Sequence, residues 1–223
     1  MEQYPVNLLK KQAKLLFGVK IDRDRKDLFQ FYHDQLIEWN SRLNLFPKGA
    51  KDYLYTNLFL DSISLFKYLP LKENSVVVDI GSGNGCPGLP LKIIRWDLKL
   101  YLIESRYKRS IFLKTIAGDF DHVNIGDVQV LNQRAEETNL PEQADLVVTR
   151  AAIPFQELLA MGRNFLKIGG YLVSYSGVNS PEIVKEHKKI FENAKYQFVK
   201  LFNYKLPTME QHRYLIILKY LGE

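Results

Sequence analysis

The chain has 223 residues, of which 46% are apolar and 25% are charged, and its formal net charge is +6. These values describe one folded domain with room for a small appendage, and they exclude a disordered chain. The single cysteine excludes an intramolecular disulfide, no Cys/His cluster has zinc-ligand spacing, and no apolar run reaches the ~18 residues that span a bilayer. Without the apolar core of a signal peptide at the N-terminus, the expectation is a cytoplasmic protein that binds neither a metal nor a membrane.

The first 70 residues are predicted to be helical. Apolar residues recur at helical spacing in two stretches, and a third helix is expected over residues 53–68. The spaced apolar side chains are Val6, Leu8, Leu9, Leu15, Leu16, Phe17, Leu28, Phe31, Tyr32, Leu36 and Trp39. No alternating strand pattern appears before Ser75. We therefore expect residues 1–70 to form a helical extension packed on a core domain of residues 71–223.

From Ser75 onward, short runs rich in β-branched residues alternate with segments long enough for helices. The predicted strands are residues 75–80, 98–104, 127–132, 144–150, 170–176, 196–204 and 212–220, and the predicted helices include 89–95, 109–120 and 155–166. This alternation predicts an α/β fold with a mainly parallel sheet covered on both faces. About seven residues, including Pro207, join the last two strands, which is too short for a parallel crossover. The last strand is therefore expected to run antiparallel.

A glycine-rich loop, DIGSGNGCPG over residues 79–88, follows the first predicted strand. Glycines at this point allow positive φ angles and close approach of a ligand to the backbone, and nucleotides bind at this edge of open parallel sheets. The dinucleotide pattern G-x-G-x-x-G fits only from Gly83 onward, where Pro87 would remove an N–H that a phosphate needs. The spacing D-x-G-x-G-x-G from Asp79 to Gly85 instead resembles the first motif of class I S-adenosylmethionine methyltransferases. A tight structural turn is the alternative.

Glu104 ends the second predicted strand, 21 residues after Gly83. A carboxylate at this position can accept hydrogen bonds from both hydroxyls of a ribose and would repel a ribose phosphate. The alternative is a carboxylate paired with Arg106 or Lys108. The glycine loop and Glu104 together indicate a nucleoside-containing cofactor that carries no phosphate.

Six short motifs follow one another along the chain. They are Glu38-Trp39-Asn40 with Leu43-Asn44-Leu45; Asp61-Ser62; the glycine loop with its tail Pro87-Gly88-Leu89-Pro90-Leu91; Glu104-Ser105 with Lys108-Arg109 and Phe112-Leu113; Arg134-Ala135-Glu136-Glu137; and Thr149-Arg150-Ala151. In this order they resemble the family of bacterial 16S ribosomal RNA guanine-N7 methyltransferases known as RsmG or GidB. The chain departs from the family's usual residues at Phe46, Leu58, Cys86 and Ser176, and Ser176 replaces a basic residue.

The resemblance implies a Rossmann-like class I S-adenosylmethionine-dependent methyltransferase with a seven-stranded sheet. The residues it implies at the cofactor are Gly81, Gly83, Gly85 and the backbone of Cys86 at the methionine portion, Glu104 at the ribose, Ala135 and Glu136 at the adenine, and Arg150 beside the transferable methyl. An acidic first turn of a helix is the alternative role for Ala135 and Glu136. For Arg150, the alternative is a surface cation paired with Glu157.

The same resemblance implies methyl transfer to N7 of a guanine in 16S ribosomal RNA of the small subunit, an rRNA-processing step. N7 carries a lone pair and no proton, so the reaction needs no general base, and no catalytic acid or base is expected. Cys86 lies inside the cofactor loop and lacks the second cysteine of a pyrimidine-C5 methyltransferase. Two alternatives stay open: a methyltransferase for a small molecule or a protein, and a non-catalytic RNA-binding protein on the same fold.

Basic residues are concentrated in two segments. Residues 104–114 carry a net charge of +3 directly after the strand that ends in Glu104, where contacts to phosphates could orient RNA without reading its sequence. The residues expected to contact RNA are Arg106, Lys108, Arg109 and Arg150. Residues 1–26 carry +4, and a solvated helix face explains them equally well. Trp39 is expected to pack between the helical part and the sheet, and the protein is expected to be a monomer.

Overall fold

The computed structural model describes residues 4–47, 49, 54–150, 153–176, 180–207 and 209–222. Its first part is helical, as the apolar spacing predicts. The elements are α1 (Tyr4–Gln12), a π-helical turn (Ala13–Phe17), α2 (Arg23–Leu43), a second π-helical segment (Tyr55–Leu60), α3 (Asp61–Ile63) and a 3-10 turn (Ser64–Lys67). The last three form the predicted third helix, whose first residue, Tyr53, lies outside the described residues.

Local sequence explains where α2 begins and ends. The carboxylate of Asp22 accepts a hydrogen bond from Arg25 N at 2.9 Å, which caps the N-terminus, and Asn44 ends the helix in the left-handed conformation. Within α1 and its π-helical turn, Leu9 and Phe17 point inward, whereas Leu15 is 71% exposed. Leu15, one of the apolar residues at helical spacing, therefore lies off the buried face, which follows the positions three to four residues apart from Leu9.

Seven strands form one sheet in the order β3-β2-β1-β4-β5-β7-β6. The strands are β1 (Val76–Ile80), β2 (Lys99–Ile103), β3 (Val128–Leu131), β4 (Ala144–Thr149), β5 (Leu166–Ser176), β6 (Tyr196–Lys205) and β7 (His212–Tyr220). Pairs among β1 to β5 are parallel, and β7 is antiparallel to both β5 and β6. The mainly parallel sheet with an antiparallel last strand is therefore confirmed.

Helices cover both faces of the sheet. They are α4 (Gly88–Ile94), α5 (Tyr107–His122), α6 (Phe155–Phe165) and α7 (Ser180–Asn193). Alternate strand residues divide the core: Val77 packs with α4, α5 and the N-terminal helices, whereas Val78 packs with α6 and α7. Strand β5 begins at Leu166, four residues before the predicted strand, because the chain enters it directly from α6.

The N-terminal helices are fixed to the sheet by packing and by polar contacts. Trp39 of α2 lies edge-on to Phe112 of α5 with ring centroids 5.8 Å apart, so its predicted packing role is confirmed. The hydroxyl of Tyr175 on β5 donates to Ser62 O at 2.6 Å. No helix in the described part of the chain is both long and apolar enough to cross a membrane.

Candidate cofactor site and its basic rim

The glycine loop after β1 turns sharply at the carboxyl edge of the sheet. Gly81, Gly83 and Gly85 all have positive φ angles, of 70°, 56° and 91°. At Gly85 a side chain would also collide with its surroundings, because a Cβ atom would lie 2.4 Å from Leu89 Cδ1 and 2.6 Å from Tyr32 Oη. The glycine spacing is therefore a requirement of the backbone path.

Most of the loop's backbone N–H groups already have acceptors inside the protein. Gly81 N and Ser82 N donate to Ile103 O, Gly85 N to Ser82 O, and Cys86 N to Asn84 Oδ1. Gly83 N donates to Glu104 and Gly88 N to Asp79, both at 2.9 Å, while Pro87 has no N–H. A pyrophosphate would find these donors occupied. The dinucleotide reading of the loop therefore does not fit the structure.

Glu104 lies directly after β2 and is 5% exposed. Its Oε2 accepts from Gly83 N at 2.9 Å and its Oε1 from Arg106 N at 2.7 Å. The described residues include no cationic side chain that pairs with this carboxylate, so the alternative pairing with Arg106 or Lys108 is not formed. Each oxygen retains lone-pair capacity for one further donor. The carboxylate is thus held by backbone amides and can accept hydrogen bonds from a ligand.

Asp79, on β1, is a site residue that the sequence motif contained but that was not singled out. It is fully buried; its Oδ2 accepts from Gly88 N, and its Oδ1 has no hydrogen-bond partner among the described residues. Burial raises its pKa to about 7, against the lowering effect of the Gly88 hydrogen bond, and the charge of Glu104 adds to the rise. Its place at the head of the D-x-G-x-G-x-G spacing was the available signal.

A cavity of about 280 Å³ opens beside the loop, at the carboxyl ends of β1 and β2. Its lining is Ile80, Gly81, Ile103, Ser105, Gln133, Arg134, Ala135, Glu136, Ile153, Pro154, Glu157 and Met161. Apolar walls with a few polar groups suit a flat heterocycle. Ala135 and Glu136 belong to the short 3-10 turn Ala135–Glu137, not to the start of a longer helix. Sequence reasoning named Gly81, Ala135 and Glu136 but missed the rest of this lining.

A larger cavity, about 750 Å³, lies far from these motifs. It is lined by Trp96 from the α4–β2 connection and by Phe120 near the end of α5, which places it at the amino edge of the strands. Neither the glycine loop nor Glu104 reaches it. Cofactors of open parallel sheets bind at the carboxyl edge, so the smaller cavity is the candidate site.

Cys86 faces the helical part of the protein. Its Sγ lies 3.6 Å from the hydroxyl of Tyr32, which also donates to Asn84 O. The thiol is 4% exposed, and burial raises its pKa to about 12, although the charge of Arg150 partly opposes this rise. A thiol with such a pKa is protonated at neutral pH and is a poor nucleophile.

Arg150 follows β4 and points toward the helical segment that contains Asp61. Its Nη2 donates to Asn57 O at 2.6 Å and lies 3.4 Å from Asp61 Oδ2, while Nη1 is buried without a partner in the described ranges. The ion pair that Arg150 forms among the described residues is with Asp61, so the alternative pairing with Glu157 is not formed. The residue after Arg150 in its motif, Ala151, lies outside the described residues.

The basic rim of the site is formed by the first turn of α5. Arg106 and Lys108 are exposed, and Arg109 is half-buried. Arg109 reaches over the glycine loop: its Nη2 lies 3.5 Å from Asn44 O, and its Nη1 lies 3.6 Å from where a Cβ of Gly83 would be. Three of the four predicted RNA contacts therefore share one edge of the molecule. Within the described residues no group of three or more metal-ligating side chains could hold a metal ion.

Comparison with known proteins identifies a family to which the chain is similar. The family model described as rRNA small subunit methyltransferase G matches residues 25–215. A curated protein of Thermoanaerobacter sp. (strain X514) named ribosomal RNA small subunit methyltransferase G is 30% identical over 98% of this chain and 91% of its own length. One of the same name from Acetivibrio thermocellus is 32% identical over 91% of this chain and 84% of its own.

Solved structures support the fold. The fibrillarin pre-rRNA processing protein of Methanococcus jannaschii is 22% identical, with a TM-score of 0.57 over 70% of each chain. TYW2 from M. jannaschii, solved with AdoMet, is 18% identical, with a TM-score of 0.51 over 66% of this chain and 68% of that one. At these identities the likeness shows a shared class I methyltransferase fold.

Proposed function

The chain belongs to the family described as rRNA small subunit methyltransferase G, and on this premise we propose that it transfers a methyl group from S-adenosylmethionine to N7 of a guanine in 16S ribosomal RNA. The observation that carries the proposal is the combination of a glycine loop with occupied amides and a Glu104 carboxylate with free lone pairs. Such a site suits a nucleoside cofactor without phosphates.

The chain's own residues divide the task of holding this cofactor. Glu104 accepts hydrogen bonds from the ribose hydroxyls, and Ala135 and Glu136 in the 280 Å³ cavity flank the adenine. The backbone at the methionine portion is that of Gly81, Gly83, Gly85 and Cys86, with Arg150 beside it at the end of β4. The uncompensated buried atoms Asp79 Oδ1 and Arg150 Nη1 fit a ligand that bears both an ammonium and a carboxylate.

S-adenosylmethionine supplies a methyl group activated on a positively charged sulfur. The guanine N7 has a lone pair and no proton, so no side chain has to remove one, and no residue is assigned as acid or base. The protein's contribution is then to hold two partners in line, which can lower a barrier by up to about 7–11 kcal/mol. Cys86 takes no part as a nucleophile because its buried thiol stays protonated.

The rim supports an RNA substrate. Arg106, Lys108 and Arg109 carry positive charge beside the cavity, where contacts to phosphates can position a polyanion. Arg150, the fourth residue expected to contact RNA, is turned toward Asp61. We propose the small ribosomal subunit or its 16S RNA as the partner, with the protein acting as a cytoplasmic monomer that needs no metal ion. In this proposal the helical extension comprises residues 1–70, and the methyltransferase domain comprises residues 71–223.

The test is transfer of labelled methyl groups from S-adenosylmethionine to small subunits or rRNA from a strain that lacks the endogenous modification. After digestion to nucleosides, the label is expected in 7-methylguanosine. The Gly83→Arg variant, which places a long side chain in the loop, is the control and is expected to transfer none. Cofactor binding without RNA labelling would favour a small-molecule or protein substrate, and absence of cofactor binding would favour a non-catalytic RNA-binding protein.

A further inference from the structure

Tyr107, the first residue of α5, exposes a large aromatic ring. It is 68% exposed, and the other large apolar side chains exposed in the described ranges are aliphatic. Its side chain makes no hydrogen bond, aromatic contact or cation–π contact with another described residue. An aromatic ring gains much by burial, so a ring left open to solvent at a defined place is a candidate contact for a ligand.

The ring stands in a positively charged surface. From Ser105 to Gly118 the sequence contains four cations and no acidic residue. Arg106 and Lys108, on either side of Tyr107, are exposed and form no ion pair with any residue that the structure describes. Ile111, one helical turn further along and 36% exposed, extends the apolar surface on the same side of α5.

This surface adjoins the cofactor site. Ser105 lines the 280 Å³ cavity, and Arg106 N donates to the Glu104 carboxylate at 2.7 Å. Two peptide units separate Ser105 from Tyr107, so their Cα atoms are at most about 7 Å apart. The Tyr107 backbone therefore lies at the edge of the candidate cofactor cavity.

We propose that Tyr107 is a base-stacking residue of the RNA-binding surface: its ring packs against an unpaired base next to the target guanine while Arg106 and Lys108 contact the flanking phosphates. The inference rests on the proposed rRNA substrate. Proteins that bind single-stranded nucleic acid combine a basic track with aromatic rings, and the rim of α5 supplies both. A protein partner could bury the Tyr107 ring without contacting the neighbouring cations. RNA would contact both the ring and the cations, so charge complementarity favours RNA as the partner.

The test compares Tyr107→Ala with Tyr107→Phe, with Val123→Ala as the matched control. Val123 is 51% exposed at the far end of α5 and is no part of the rim. One measurement is kcat/KM for methylation of small subunits; the other is binding of a short single-stranded RNA containing 2-aminopurine, whose fluorescence falls on stacking. Calorimetry with S-adenosylmethionine checks that every variant keeps its cofactor affinity.

Loss of the ring in Tyr107→Ala is expected to weaken RNA binding and kcat/KM by about 5- to 100-fold and to abolish the fluorescence change. Tyr107→Phe and Val123→Ala are expected to stay within about twofold of the native protein, because stacking needs the ring and not the hydroxyl. Lys108→Ala should reduce the dependence of binding on salt, which Tyr107→Ala should leave unchanged.

Two results would overturn the inference: RNA binding by Tyr107→Ala equal to that of the native protein, or a Tyr107→Phe variant as weak as Tyr107→Ala. The native protein's own methylation of small subunits is measured alongside. Its failure would refute the proposed function, whereas the 2-aminopurine signal still decides whether the ring stacks on RNA.

Discussion

Replacing Asp61 by Asn tests how the N-terminal helices are attached to the sheet. Asp61 is fully buried, and its Oδ1 accepts from the Tyr204 hydroxyl at 2.6 Å. Its Oδ2 lies 3.0 Å from Arg213 Nη2 and 3.4 Å from Arg150 Nη2. Burial opposes the charge on Arg213, but the charge and hydrogen bonds of Asp61 outweigh it and raise the Arg213 pKa. One carboxylate thus balances two cations from β7 and the end of β4.

The expected cost follows from what the substitution leaves behind. Asn has the size of Asp but no charge, so two guanidinium groups that are only 16% and 22% exposed lose their counter-ion. Breaking a buried ion pair by removing one partner costs about 3–5 kcal/mol. For a protein of this size that corresponds to a fall in Tm of about 6–20 °C.

Thermal and urea denaturation would measure this loss, with Asp27→Asn as the control. Asp27 also pairs with an arginine, Arg23 at 3.9 Å, but the two side chains are 62% and 90% exposed. That change should cost about 0.5 kcal/mol or less. The double variant Asp61→Asn with Arg213→Met should lose less than the sum of the single changes. A loss of stability in Asp61→Asn no larger than in Asp27→Asn, or losses that simply add in the double variant, would show that the buried carboxylate does not stabilise the two arginines.

Three further changes test the cofactor site. Gly85→Ala places a Cβ 2.4 Å from Leu89 Cδ1 at a φ of +91°, and it should weaken S-adenosylmethionine binding more than tenfold in calorimetry. Gly118→Ala is the control: no atom lies within 4 Å of its Cβ, so the affinity for S-adenosylmethionine should stay unchanged. Glu104→Gln replaces one carboxylate oxygen, which accepts a hydrogen bond from a backbone N–H, by an NH2 group that can only donate. The substitution should raise the Kd for S-adenosylmethionine by about 10- to 100-fold. An unchanged Kd would show that Glu104 is not part of the site. Burial raises the pKa of Asp79 from 3.8 to about 7. The folded protein therefore holds the carboxyl proton more tightly than the unfolded chain does. As a consequence, the contribution of Asp79 to the free energy of unfolding falls as pH rises from about 4 to 7. In Asp79→Asn this fall should be absent, so between pH 5 and pH 8 its free energy of unfolding, measured by urea denaturation, should rise by about 2–3 kcal/mol relative to that of the native protein. The same pH dependence of unfolding in both proteins would contradict this prediction.

Local sequence predicted the strands and the loop well because those signals are short in range. Runs such as Val76–Ile80 carry β-branched residues that favour a buried strand wherever the chain places them. The glycines of the loop are fixed by φ angles, which are also a local property. Apolar spacing alone did not show that Leu15 faces the solvent, because only the packing of the whole helix decides which side faces the core.

The contacts of Arg150 were beyond such reasoning. The sequence suggested Glu157 as a possible partner, but the residue that Arg150 meets is Asp61, brought to the end of β4 by the helical segment before β1. Asp61 and Arg150 belong to two of the six sequence motifs, but nothing in the sequence indicated that these two motifs contact each other. Side-chain pairing between distant segments depends on how helices dock on the sheet, and no spacing along the chain encodes that distance.

The helical part also holds the cofactor loop itself. Tyr32 of α2 donates to Asn84 O, and Asn84 Nδ2 donates to Leu45 O just beyond the same helix. Arg109, on the rim, also contacts the end of this helix, with its Nη2 3.5 Å from Asn44 O. The two contacts of Asn84 join the helical part directly to the glycine loop. The helices before β1 therefore hold the glycine loop in place, and removing them should abolish the binding of S-adenosylmethionine measured by calorimetry.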